Sequence, residues 1–321
     1  MTIASPAIVT LTMNPALDIS TGVDRLVPDE KLRCGTPAYE PGGGGINVAR
    51  AIHALGGDAL ALFPAGGPTG ELVARLLDAE GVRHRALPIA AWTRVNLNAQ
   101  ETATGGQFRF VMPGPVLADE EWRAVLRALA ALTPAPSHLV VSGSLPPGVP
   151  PDFYAQIVDQ ARRAGTKVTL DASGEPLRRA VARGVHLLKP SRREFEELTG
   201  EKALDDDGVL AVARRLVDDR RCDVLVLSLG ARGVLWMSAS GGGSIPAPRV
   251  PVRSTVGAGD SLVAGIVLAL SRGDDLRQAL AFGVAAGAAS VMNPGTALCR
   301  AADVARLYTE IAAGMASPSR S

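Results

Sequence analysis

The segment Ser254-Thr255-Val256-Gly257-Ala258-Gly259-Asp260 has the residue types and spacing of a helix start that holds an anion. Two glycines let backbone N–H groups come close to the anion, and the helix dipole adds up to ~2 kcal/mol of attraction. A carboxylate in the same turn is placed to take a proton from an attacking hydroxyl. An acidic residue in a first helical turn also serves simply to stabilise the dipole, so the motif alone leaves both readings open. A second segment, Glu40-Pro41-Gly42-Gly43-Gly44-Gly45-Ile46-Asn47-Val48-Ala49-Arg50, puts consecutive glycines at a strand-to-helix junction. Backbone of this kind can pass close to a ligand, and Asn47 in the first turn can donate to and accept from sugar hydroxyls. A flexible turn is the alternative. Two nucleotide-binding classes drop out. No GxxxxGK[ST] occurs, which excludes a P-loop NTPase. No acidic residue closes a strand about 20 residues after the glycine run, which a dinucleotide-binding dehydrogenase requires.

The elements that must carry these segments alternate. Residues 7–11, 59–63, 138–141, 167–170, 186–188 and 224–227 read as short apolar strands. Residues 46–55, 70–79, about 151–164 and about 261–270 read as helices; Ile46, Ala49, Ile52 and Leu55 fall on one face. Alternation of this kind implies a mainly parallel sheet covered by helices on both sides. Two excursions, at about 23–42 and 84–112, break the rhythm with strand-like alternation around a hairpin turn at Thr104-Gly105-Gly106. They predict a small β lid on a single α/β domain spanning residues 1–321. Gly241-Gly242-Gly243-Ser244 reads as a surface loop.

Composition narrows the class. The 321 residues are 47% hydrophobic with a formal net charge of +1, so the body folds and no basic excess exists for nucleic acid. Cys34, Cys222 and Cys299 are odd in number and far apart, which points to a reducing, cytoplasmic compartment and away from disulfides or zinc. Residues 1–18 lack the basic start of a secretory signal. The uncharged run at 281–299 is dense in Ala and Gly and ends in Asn293-Pro294-Gly295, which suits a packed helix and loop rather than a membrane span. Residues 313–321 read as a frayed tail. Only Lys31, Lys167, Lys189 and Lys202 are lysines among 33 basic residues.

Together the two glycine motifs resemble those of the ribokinase-like carbohydrate kinases, the PfkB family, in the family's order and over nearly the whole chain. Within the family, Lys31-Leu32-Arg33-Cys34, Phe63-Pro64-Ala65-Gly66-Gly67, Arg109-Phe110-Val111-Met112-Pro113-Gly114 and Val141-Ser142-Gly143-Ser144-Leu145-Pro146-Pro147-Gly148 look most like the minor bacterial 6-phosphofructokinase branch. The resemblance implies a three-layer α/β/α fold with a β lid. The implied activity is ATP-dependent phosphorylation of fructose 6-phosphate to fructose 1,6-bisphosphate, a glycolytic step. Sister 1-phosphofructokinases and tagatose-6-phosphate kinases share many of these features.

It further implies Asp260 as catalytic base, with the amides of Gly257, Ala258 and Gly259 holding the charge of the transferred phosphoryl group. Asp18, Gly43, Gly44 and Asn47 match the sugar pocket. Lys31, Arg94 and Ser144, with Arg33 as a weaker candidate, match the sugar-phosphate site, and Lys31 would reach into a neighbouring subunit of a lid-to-lid homodimer. Lys189, Ser191, Ser228, Gly230, Gly233, Thr255, Val256, Gly257, Gly259 and Asn293 match nucleotide positions. Glu194 corresponds to the residue that organises Mg2+ through water. Ser254, Val256, Ser290, Asn293 and Gly295 match a potassium site. Ser191 stands where relatives usually carry Asn, and Ala297 where they tend to carry Arg. A neutral-sugar or nucleoside kinase is disfavoured, because Lys31 and Arg94 provide for a second phosphate. A non-catalytic sugar-phosphate sensor is disfavoured by the retention of Asp260.

Overall fold

The computed structural model describes residues 7–295 and 297–316. In chain order its elements are β1 (Ile8–Leu11), β2 (Ala16–Val23), β3 (Ala38–Gly42), α1 (Gly44–Ala54), β4 (Ala59–Ala65), α2 (Gly67–Ala79), β5 (His84–Pro88), β6 (Arg94–Glu101), β7 (Gln107–Phe110), α3 (Asp119–Ala130), β8 (His138–Ser142) and α4 (Phe153–Arg163). They continue with β9 (Lys167–Asp171), α5 (Gly174–Val181), β10 (Val185–Leu188), α6 (Arg192–Thr199), α7 (Asp206–Asp218), β11 (Cys222–Ser228), β12 (Val234–Ser238), β13 (Gly241–Ile245), α8 (Ala258–Arg272), α9 (Leu276–Val291) and α10 (Ala301–Ala316).

A nine-stranded sheet runs β13-β12-β11-β10-β9-β8-β1-β4-β5. Its strands from β11 to β5 are parallel, and β12 and β13 add an antiparallel edge. Successive residues of each strand point to opposite faces, and both faces are buried. Ile8, Val140, Leu187 and Val226 join one core with α1, α2, α8, α9 and α10. Val9, Leu139, Leu188 and Leu225 join the other, with α3 to α7. Small residues let α8 and α9 approach closely: a Cβ on Gly265 would lie 2.8 Å from the Cα of Gly283. Among the described residues, no helix is long and apolar enough to cross a membrane, and the three cysteines are free thiols.

A second, four-stranded sheet runs β3-β2-β6-β7. It departs from expectation in three places. It begins at Ala16 rather than near 23, so Asp18 lies inside β2. Residues 31–37, expected as strand, are irregular, and pairing starts only at Ala38. The segment from 84 first adds β5 to the edge of the large sheet, and only Arg94–Glu101 and Gln107–Phe110 join the small one. The glycine run at 241–244 is also not a loop. It is edge strand β13, where a Cβ on Gly242 would lie 2.5 Å from Cε of Met237 and crowd the neighbouring strand. The tail is helical to Ala316; residues 317–321 lie outside the described set, as do residues 1–6.

Candidate active site

The parallel strands all end at one edge of the large sheet, the edge where open α/β sheets bind ligands. Asp171 closes β9, Lys189 follows β10, Ser228 closes β11 and Ser142 closes β8. Asp260 enters this edge from the first turn of α8, whose cap, Gly257, has the left-handed φ of 74° that glycine adopts without strain. Asn47 enters from the first turn of α1, and its Nδ2 donates to Oδ2 of Asp260 at 2.9 Å. The two glycine motifs therefore meet. Gly43 precedes α1 with φ of 118°, and a Cβ on Gly44 would collide with Oγ of Ser142, so this backbone packs directly on the end of β8.

The electrostatics follow from burial and charge. Burial, reinforced by the Asp171 carboxylate, pushes the Asp260 carboxyl up to about 6, against the opposing pull of Asn47, Lys189 and Arg109. Lys189 is buried and pairs with Asp171 at 3.0 Å. Burial works against its ammonium, but Asp171, Glu194 and Asp260 outweigh that and hold it above its ordinary value. Asp171 is raised by burial despite Lys189. The ammonium also flanks the α8 start, 3.6 Å from where a Cβ on Gly259 would stand.

On the small sheet, Asp18 accepts from Nδ2 of Asn96, its register partner, at 2.8 Å. Burial raises its carboxyl, opposed by Asn96, Arg94, Arg109 and Arg50. Arg94 donates to the carbonyls of Asn14 and Met112, each at 2.9 Å, and to that of Pro15 at 3.4 Å. Asn14 in turn donates to Oγ of Ser144 at 3.1 Å. Arg94 and Ser144 are thus brought together through Asn14, whose buried Oδ1 has no hydrogen-bond partner among the described residues. Lys31 and Arg33 are exposed on the segment between β2 and β3.

On the other side, Ser191 caps α6. Oε2 of Glu194 accepts from both the N–H and the hydroxyl of Ser191, each at 2.8 Å. The serine that replaces the expected asparagine therefore fixes the Glu194 carboxylate. Ser191 and Ser228 bridge side by side, and the turn after β11 closes through Gly230 and Gly233, where a Cβ on Gly233 would collide with the Ile245 carbonyl. Asn293 is buried and gives its amide hydrogens to the carbonyls of Ala289 and Leu298, so its amide nitrogen ties the loop after α9. Thr255 is exposed, and Ser254 is buried with its Oγ accepting from the N–H of Val256 at 3.2 Å.

No cluster of three or more His, Cys, Asp or Glu suited to a metal exists among the described residues. The Glu194 carboxylate, fixed by Ser191, is a single oxygen donor of the kind that can hold a divalent ion through water and ligand phosphates. Ser290 is fully buried and its Oγ lacks a hydrogen-bond partner among the described residues, an orphaned oxygen that fits an oxygen-lined cation site. Sequence reading missed Asn14, Asn96, Arg109 and Asp171. An acid at the carboxyl end of a parallel strand was the available signal for Asp171.

The model of the pfkB family of carbohydrate kinases matches residues 8–303. The chain belongs to this family. It is 47% identical over 308 residues to ATP-dependent 6-phosphofructokinase isozyme 2 of Mycobacterium tuberculosis, covering 96% of this chain and 90% of the relative. The structure of Escherichia coli phosphofructokinase-2 in complex with potassium superposes with a TM-score of 0.92 at 40% identity, covering 97% of this chain and 100% of that one. The tetrameric inhibited form of the same enzyme gives 0.90 at 39%, with the same coverage. As a pfkB kinase, the chain has the large mainly parallel sheet and smaller second sheet of the ribokinase-like fold.

Proposed function

We propose that this pfkB kinase is a 6-phosphofructokinase. It would transfer the γ-phosphoryl group of ATP to the 1-hydroxyl of fructose 6-phosphate, giving fructose 1,6-bisphosphate and ADP. The observation that carries the reading is the Asp260 carboxylate at the start of α8, held by Asn47 with Lys189 alongside. The relative from M. tuberculosis bears the name of this activity.

Phosphoryl transfer needs positioning and charge stabilisation more than covalent chemistry. Asp18, Gly43, Gly44 and Asn47 hold the sugar so that the hydroxyl faces Asp260. Asp260 accepts its proton as the oxygen attacks the γ-phosphorus and the bond to the ADP oxygen breaks. The amides of Gly257, Ala258 and Gly259, and the Lys189 ammonium, hold the charge that spreads over the transferred group. Arg94 and Ser144 hold the existing sugar phosphate; Lys31 reaches it from a second subunit. Ser191, Ser228, Gly230, Gly233, Thr255, Val256 and Asn293 line the nucleotide. Glu194 would hold Mg2+ through water, which supplies neutralisation of the nucleotide phosphates. Ser254, Val256, Ser290, Asn293 and Gly295 would hold K+.

The small sheet acts as a lid on a single kinase domain. Its outward face exposes Tyr39, Phe108 and Phe110, which supports self-association through the lid as a homodimer; the E. coli relative has a form described as tetrameric. A cytoplasmic location accords with the exposed free thiol of Cys34. Initial rates with MgATP against fructose 6-phosphate, fructose 1-phosphate, tagatose 6-phosphate and ribose test the reading. The highest kcat/KM is expected for fructose 6-phosphate; a clear preference for another sugar overturns the substrate, and no turnover of any sugar overturns the kinase.

A further inference from the structure

Arg50 is an arginine that the catalytic reading leaves unused. It sits on α1, one turn beyond Asn47 and only 8% exposed. Its Nε and Nη2 make a two-pronged contact with Glu80, at the end of α2, each bond at 2.7 Å. Its Nη1 donates to the carbonyl of Pro41 at 3.2 Å, and its Nη2 lies 3.6 Å from Oε1 of Glu40. Pro41 and Glu40 belong to β3, the strand by which the small sheet enters α1. Glu40 is the register partner of Asp18 across β2 and β3, so two carboxylates face each other on that ladder. The same helix therefore presents Asn47 to Asp260 and, one turn on, Arg50 to the strand that carries the sugar side of the cleft.

We infer that Arg50 is a positioning residue: anchored by Glu80, it ties β3 to α1 and so fixes Asp18 and the glycine run relative to Asp260. The inference rests on the kinase reading above, with Asp18 on the sugar. The groups facing Asp18 are Glu40 from β3, Asn96 and Arg94 from β6, Arg109 from β7 and Arg50 from α1. Removing Arg50 leaves Glu40 and Asp18 opposed with less compensating charge, which favours protonation of the carboxylates and lets the strand shift.

The test is steady-state kinetics of Arg50→Met, Glu80→Gln and Arg50→Met/Glu40→Gln as full chains. Arg50→Met is expected to raise KM for the phosphosugar about tenfold or more while KM for MgATP stays within about twofold. The acid limb of kcat/KM for the sugar should move to higher pH. Glu80→Gln should raise the sugar KM by less, and adding Glu40→Gln to Arg50→Met should recover part of the loss. A packing role alone would move both KM values together, without a pH shift. Unchanged sugar KM in Arg50→Met, or a parallel rise for ATP, overturns the inference; if that variant does not fold, an unchanged sugar KM in Glu80→Gln overturns it. Wild-type turnover with the sugar panel is measured first: its absence refutes the kinase reading and this inference with it, whereas an active wild type with indifferent variants refutes the inference alone.

Discussion

Asn47 and Asp260, 213 residues apart in sequence, are joined by a 2.9 Å hydrogen bond from amide to carboxylate. The bond favours the ionised form of Asp260, against burial and the neighbouring Asp171. A proton acceptor in this position must be ionised to work, so activity should rise with pH through about 6, the value to which Asp260 is pushed.

Removing the bond should move that limb. Asn47→Leu takes away a group that lowers the Asp260 value, so the acid limb of the kcat–pH profile should shift to higher pH. A profile with an unmoved limb, measured on the purified variant, would separate Asn47 from the ionisation of Asp260.

Arg94 donates to the carbonyls of Asn14, Pro15 and Met112, and Asn14 in turn donates to Ser144. A lysine is a compact point charge and cannot reproduce that fork. Arg94→Lys should therefore raise KM for the phosphosugar by about tenfold or more, with KM for MgATP little changed. Equal effects on both KM values would count against a sugar-side role.

Lys189→Arg should also be damaging, because Lys189 is buried, pairs with Asp171 and flanks the start of α8. A larger planar head there must displace Asp171 or Gly259. The expected outcome is a fall in kcat; wild-type kcat with intact folding would show that a generic cation suffices.

Acid stability offers a test outside the site. Burial, with the charges of Lys167 and His186, depresses His138 from 6.5 to about 4. Between those values the unfolded chain binds a proton at His138 and the folded chain does not. Its effect on stability is therefore constant above 6.5, unfavourable as pH falls towards 4, and constant again below. The fall in Tm between pH 7.5 and pH 5 should be smaller for His138→Gln than for the wild type; equal falls would assign the acid sensitivity to other groups.

The alternation of strands and helices was legible because buried parallel strands are short apolar runs and amphipathic helices repeat on one face. That each glycine motif stands at a helix start was legible, but the bond between Asn47 and Asp260 was not, because nothing in the spacing of two motifs 213 residues apart says that they touch. The Arg94–Asn14–Ser144 linkage was not, because it runs through backbone carbonyls, which any residue supplies. β2 was missed because its Asp18, Ser20 and Thr21 are polar on a half-buried sheet, and β13 because glycines on an edge strand carry no side-chain signal. Ser191 shows in the sequence only as a departure from the asparagine that relatives usually carry, whereas its capping bonds to Glu194 become visible only in three dimensions.

The most direct measurement is kcat of Asp260→Asn with saturating MgATP and fructose 6-phosphate. The asparagine keeps the shape and a hydrogen-bonding oxygen but cannot take the proton. A fall of at least ~10²-fold in kcat is expected, the scale of a positioned general base; turnover close to wild type would contradict the assignment of Asp260 as the base.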